Sequence, residues 1–94
     1  MQDNIDKMFS MQREYEALDE YVEKLRDKEK SNAWDVSVDG SSVAQTFQSL
    51  GRLMAELTNL RITVSANERV IADSCYRQCY ASRARLLPLL RYWR

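Results

Sequence analysis

Between Met8 and Leu25 an apolar residue recurs every three or four positions, at Met8, Met11, Tyr15, Leu18, Val22 and Leu25, while charged and amide side chains fill most of the gaps. An α-helix turns this rhythm into one apolar stripe on an otherwise wetted cylinder, and such a stripe needs cover from another helix. The pattern predicts a first helix over about 3–30. Asp3 or Asn4 can cap its free N–H groups, and Lys24, Arg26, Lys28 and Lys30 suit the negative end of its dipole.

A second periodic run contains Val43, Phe47, Leu50, Leu53, Met54, Leu57, Leu60, Val64, Ile71, Cys75 and Cys79. Ser42 followed by Gln45 spells a capping box and marks its start. Residues 31–41 then read as an ordered connector with a turn at Asp39-Gly40. Trp34, Val36 and Val38 alternate like a strand, but no second strand pattern exists to pair with them, so Trp34 is expected to fold back over the helices.

Ser65-Ala66-Asn67-Glu68 is a second capping-box spelling, and the β-branched run Ile62-Thr63-Val64 precedes it. The run is therefore either one rod over about 42–87 or two helices broken near residue 65. No Pro or Gly stands at the break, which favours the single rod. Pro88 ends the helix and leaves a tail over 88–94. Only two glycines and one proline occur in 94 residues, which suits long helices over a sheet with many turns.

The expected fold is all-α, a single domain in which helix one folds back on a longer helix two as an antiparallel hairpin. Leu25 then lies opposite Phe47, Leu18 opposite Met54, and Met8 opposite Val64. Helix one runs out near Ile71. Cys75, Tyr76, Cys79, Tyr80, Leu86, Leu87, Leu89, Leu90, Tyr92 and Trp93 are left without intrachain cover, so association is expected. Two hairpins would pair into a four-helix bundle or coiled coil, with itself or other helical subunits as partner. Arg61 and Glu68 interrupt the apolar row and read either as a pair across that interface or as side chains snorkelling to water.

Fourteen bases balance fourteen acids, but unevenly. Residues 1–30 hold nine acids and six bases, whereas residues 68–94 hold two acids and six arginines. Arg77, Arg83 and Arg85, interleaved with Tyr76, Tyr80, Tyr92 and Trp93, give nucleic-acid binding as a second reading. No apolar run approaches the roughly 20 residues that cross a bilayer. Asp3, Asp6 and Lys7 interrupt any apolar leader, and two cysteines without secretory features point to the cytoplasm or nucleus.

Candidate chemistry is sparse. There is no histidine for general acid–base work and no nucleophile in a recognisable motif, so no enzyme and no cofactor are expected. Glu14, Glu16, Asp19, Glu20 and Glu23 lie mostly off the apolar stripe, as a solvated face does. Cys75 and Cys79 stand one helical turn apart and read first as small buried hydrophobes. A disulfide or metal shared by symmetry between two chains is a third reading. The leading expectation is a non-catalytic interaction or scaffold subunit.

Overall fold

A computed structural model describes the backbone of residues 2–92 and the side chains of residues 4–35 and 38–91. Helix α1 spans Gln2–Lys30, α2 Val36–Thr63 and α3 Ala66–Arg85, and a 3-10 segment follows over Leu87–Tyr92. No strand occurs among the described residues. The helices run up, down and up, in a bundle of 47 × 17 × 17 Å. The Asp3 cap lies outside the described side chains, and so does Val36.

Helix α1 ends through Asn32, whose φ of 59° is left-handed. Its N–H donates to the carbonyl of Glu29, and that of Ala33 to the carbonyl of Lys28 at 2.9 Å. This is a Schellman ending, with asparagine where glycine more often stands. The expected connector therefore closes early. Asp35 caps α2, accepting from Val38 N at 3.4 Å, while Asp39 accepts from Asp35 N at 2.8 Å. The start predicted at Ser42 is thus corrected to Val36. Asp39-Gly40 makes no turn there but lies within the first turns of α2. Ser42 instead donates to Val38 O and accepts from Tyr21 Oη at 2.9 Å.

The short link also changes the register. Glu14–Arg52, Tyr21–Ser42 and Lys28–Asp39 join α1 to α2. They slide the two helices nearly two turns away from the predicted Leu25–Phe47 alignment.

The single long rod is overturned at residues 64–65. Ser65 has extended backbone, accepts from Glu68 N at 3.3 Å, and donates its own N–H to Glu68 Oε1 at 3.1 Å. Thr63 Oγ1 takes the carbonyl of Leu60 at 3.0 Å, which adds a local alternative to helix propagation. What favours the break is burial. With α3 folded back, Cys75, Cys79, Leu86 and Leu89 become core residues, and burying a large aliphatic side chain contributes about 1.5–3 kcal/mol. Capping replaces the hydrogen bonds lost at the turn, so the break costs little.

The stripe of α1 is covered as predicted, but by two helices of its own chain. Met8, Met11, Val22 and Leu25 are buried against Leu50, Leu53, Leu57, Cys75 and Cys79, and Tyr15, Leu18, Phe47 and Trp34 pack around them. Helix α3 is tied to α1 by Gln12–Gln78 at 2.9 Å, Ser82–Asp19 at 2.8 Å and Arg26 to the carbonyl of Arg85 at 3.2 Å. Leu86 caps α3, and the 3-10 segment containing Pro88 folds Leu89 into the core.

Candidate functional site

Most of the residues expected to meet a partner lie inside this bundle. Cys75, Cys79 and Leu86 are buried, and Tyr76 and Leu90 are half-buried against the core. Much of the C-terminal end expected to lack intrachain cover is buried by the fold of α3 against α1 and α2, while Tyr80 and Leu87 remain exposed; the side chains of Tyr92 and Trp93 lie outside the described residues. Among the described residues, Ile71, Tyr80 and Leu87 of the apolar side chains expected to seek a partner stay exposed. Within the chain, Arg61 and Glu68 take separate partners. Arg61 bonds Asp73, one helix away, and Glu68 closes the capping box.

Arg52, Arg61, Arg85 and Arg91 pair with carboxylates of the chain, whereas Arg13, Arg26, Arg69, Arg77 and Arg83 meet none among the described residues. Arg85 meets Asp19 and Glu23, Arg91 meets Glu29 at 3.0 Å, and Arg52 meets Glu14 and Glu56. Arg69 donates to the carbonyl of Arg61 at 3.2 Å. Arg83 differs. Its guanidinium lies over the Phe47 ring, 5.0 Å from the centroid, and it meets no carboxylate among the described residues.

The thiols sit side by side in the core. The Cys79 thiol donates to Cys75 and holds the Cys75 pKa below the ordinary thiol range, while keeping the donated proton raises Cys79, with burial adding to the rise. Burial raises Tyr15 as well, with Asp19 adding to it. Both thiols face their own bundle, which leaves no place for a disulfide or metal shared with a second chain. No group of three or more His, Cys, Asp and Glu side chains is placed to hold a metal among the described residues. No helix there is long and apolar enough to cross a membrane.

No family model matches the chain, and no curated protein or solved structure matches it. Function must be read from the surface of the bundle.

That surface keeps large apolar side chains in water. Ile62 is 79% and Val70 69% exposed beside the α2–α3 turn, and Tyr80 at 58% and Leu87 at 54% follow along the hairpin. Phe9, Tyr21, Val38 and Ile71 are the others. Tyr80 on α3 and Leu87 at the start of the 3-10 segment lie beside Arg83, whose side chain reaches Phe47 of α2. Arg83, Ala84, Tyr80 and Leu87 line a shallow hollow of about 70 Å³. Nearer the turn, Thr58, Arg61, Ile62 and Arg69 line an open groove. Periodicity missed Ile62 and Val70 because each stands off the core rows. Apolar residues out of phase with an amphipathic helix were the available signal.

Proposed function

We propose that the chain is a non-catalytic protein-interaction module whose α2–α3 side docks against a helical subunit of a larger assembly. The supporting observation is the set Ile62, Val70, Tyr80 and Leu87, which places half of the large exposed apolar side chains among the described residues on α2, α3 and the segment after it. Large apolar side chains left exposed on a small domain can mark a binding face. Tyrosine and arginine, both present here, are frequent anchors at such faces. The expectation of assembly thus rests on Tyr80 and Leu87, which first suggested it, together with Ile62 and Val70, which did not. Nucleic-acid binding is less favoured, since Arg85 is neutralised by two carboxylates and the Arg83 guanidinium sits over the Phe47 ring.

Affinity capture from the native source, with the wild type and an Ile62→Ser/Leu87→Ser variant in parallel, tests this. The reading predicts a stoichiometric partner held by the wild type and lost by the variant, with thermal melting unchanged. Capture of the same proteins by both would overturn it.

A further inference from the structure

We propose that the α2–α3 turn is a hinge through which two copies of this chain exchange their third helices. In the exchanged dimer α2 and α3 of each copy run as one continuous helix, and each α3 lies in the bundle of its partner. This is a second state beside the closed monomer, and it stands independently of the docking face proposed above.

The link between the two helices is short and holds nothing that forbids a helix. Val64 still donates to the carbonyl of Leu60 at 3.2 Å, and Arg69 already donates to that of Ser65 at 2.9 Å. The helical ladder therefore stops and resumes within about one turn. The break consists of the extended backbone of Ser65, φ −67° and ψ 165°, and its capping box with Glu68. Neither glycine nor proline occurs between Ile62 and Arg69. Ser65, Ala66 and Asn67 are all exposed, so no described residue packs over the outside of the turn.

The apolar row runs through the break in phase. From Leu60 it continues at Val64, Glu68, Ile71, Cys75 and Cys79, in steps of three or four that make one stripe of an uninterrupted helix. A chain reversal requires no such match between the helices on its two sides. The row is buried in the closed bundle except beside the turn, where Glu68 is half-buried and Ile71 is 39% exposed. Straightening the hinge sets both between two core segments. The register of Arg61 with Asp73 and of Phe47 with Arg83, carried through the hinge, lays the two long helices antiparallel, so that each covers Ile71 of the other.

Burial does not decide which copy supplies α3. Gln12–Gln78, Asp19–Ser82 and the bond from Arg26 to the carbonyl of Arg85 join α3 to α1 whatever connects it to α2. The core places of Cys75, Cys79 and Leu86 are equally indifferent to the link. Private to the closed monomer are the Ser65–Glu68 box and the bond from Arg69 Nε to the carbonyl of Arg61 at 3.2 Å. A continuous ladder replaces them in the dimer. What keeps α3 at home is proximity, since a short tether holds it at an effective concentration in the millimolar range. Exchange competes once the protein itself reaches that range, or once the cap is removed.

The test refolds the full chain from urea at micromolar and at millimolar concentration and measures the mass of the products by light scattering. Wild type should be monomeric at the lower concentration and form a dimer at the higher. Ser65→Ala/Glu68→Leu removes the cap and completes the stripe, and should lower the midpoint concentration for dimer at least tenfold. Ala66→Pro should stay monomeric throughout. Proline suits the first helical position after an extended Ser65, whereas in a continuous helix it removes a hydrogen bond and clashes with the preceding turn. Exchange is distinguished from side-by-side pairing with Arg61→Cys/Asp73→Cys, two positions paired across the turn, bridged by a short bis-maleimide. The bridge should join two chains in the isolated dimer and stay within one chain in the monomer. No wild-type dimer at millimolar protein, a dimer equally formed by Ala66→Pro, or bridges within single chains of the dimer would each overturn the proposal. Should the cap variant fail to fold, wild type against Ala66→Pro still decides.

Discussion

The hydroxyl of Ser82 donates to the carboxylate of Asp19 across 2.8 Å, fastening α3 along α1 in the place a second molecule had been expected to occupy. Ser82 is 1% exposed, so no water stands ready to replace its acceptor. The same carboxylate takes Arg85 Nη1 at 3.3 Å. One acid thus holds the C-terminal half of the third helix against the first.

Removing that acceptor strands a buried hydroxyl. Asp19→Ala is expected to cost about 1–3 kcal/mol, the usual penalty for an unsatisfied buried polar group. Adding Ser82→Ala should recover part of the loss, because the stranded group goes too. Urea unfolding of the two single variants and the double variant checks this. Additive losses would mean the pair does not interact.

The turn at Ser65 makes a prediction with a pH signature. Ser65→Ala should cost about 1 kcal/mol, as the loss of a helix N-cap does. Hydrogen bonds from the Ser65 backbone N–H and hydroxyl hold the Glu68 carboxyl below its ordinary value of 4.5. A carboxylate depressed in the folded state contributes fully above the unfolded value and loses that contribution as pH falls through the folded one. The stability gap between wild type and Glu68→Gln should therefore be complete at neutral pH and close as pH drops below 4.5. A gap that persists into strong acid would show that ionisation is not its source.

Thiol accessibility follows from the core position of Cys75 and Cys79. A disulfide-exchange reagent should react with neither in the folded protein on a timescale of minutes, and with both at once in denaturant. Cys79→Ala should be tolerated better than Cys79→Ser, whose hydroxyl would be buried among apolar neighbours. Rapid reaction of either thiol under native conditions would place it outside the core.

Gly51 lies in the middle of α2, and a Cβ there would meet only Arg83 Nη1, at ordinary contact distance. Gly51→Ala is accordingly expected to raise stability by about 0.5–1 kcal/mol through helix propensity and a less free unfolded chain. Leu57→Ala, fully buried, should lower it by about 2–5 kcal/mol. Thermal melts of the two variants must move in opposite directions; a lower melting point for Gly51→Ala would mean the close approach of Arg83 cannot relax.

The site was hardly legible in the chain. Arg83 looked like one member of an arginine-rich end, and nothing in the spacing distinguished it from Arg85. Only the fold gives Arg85 two carboxylates from α1 and gives Arg83 an aromatic ring from α2. Ile62 and Val70 were silent for a related reason. Periodicity names the residues that face a core, and exposure at the tip of a hairpin depends on where the chain turns.

The sequence by itself determined that this protein is helical, that Met8 to Leu25 form one covered stripe, and that Ser65 and Glu68 can cap a helix. These follow from bonds and spacings within a few residues, where local geometry leaves little choice. Whether the cap is used was a tertiary decision, because a continuous helix and a capped break are close in local energy. Burial of Cys75, Cys79, Leu86 and Leu89 against α1 and α2 separates them, and that burial exists only once three helices have come together.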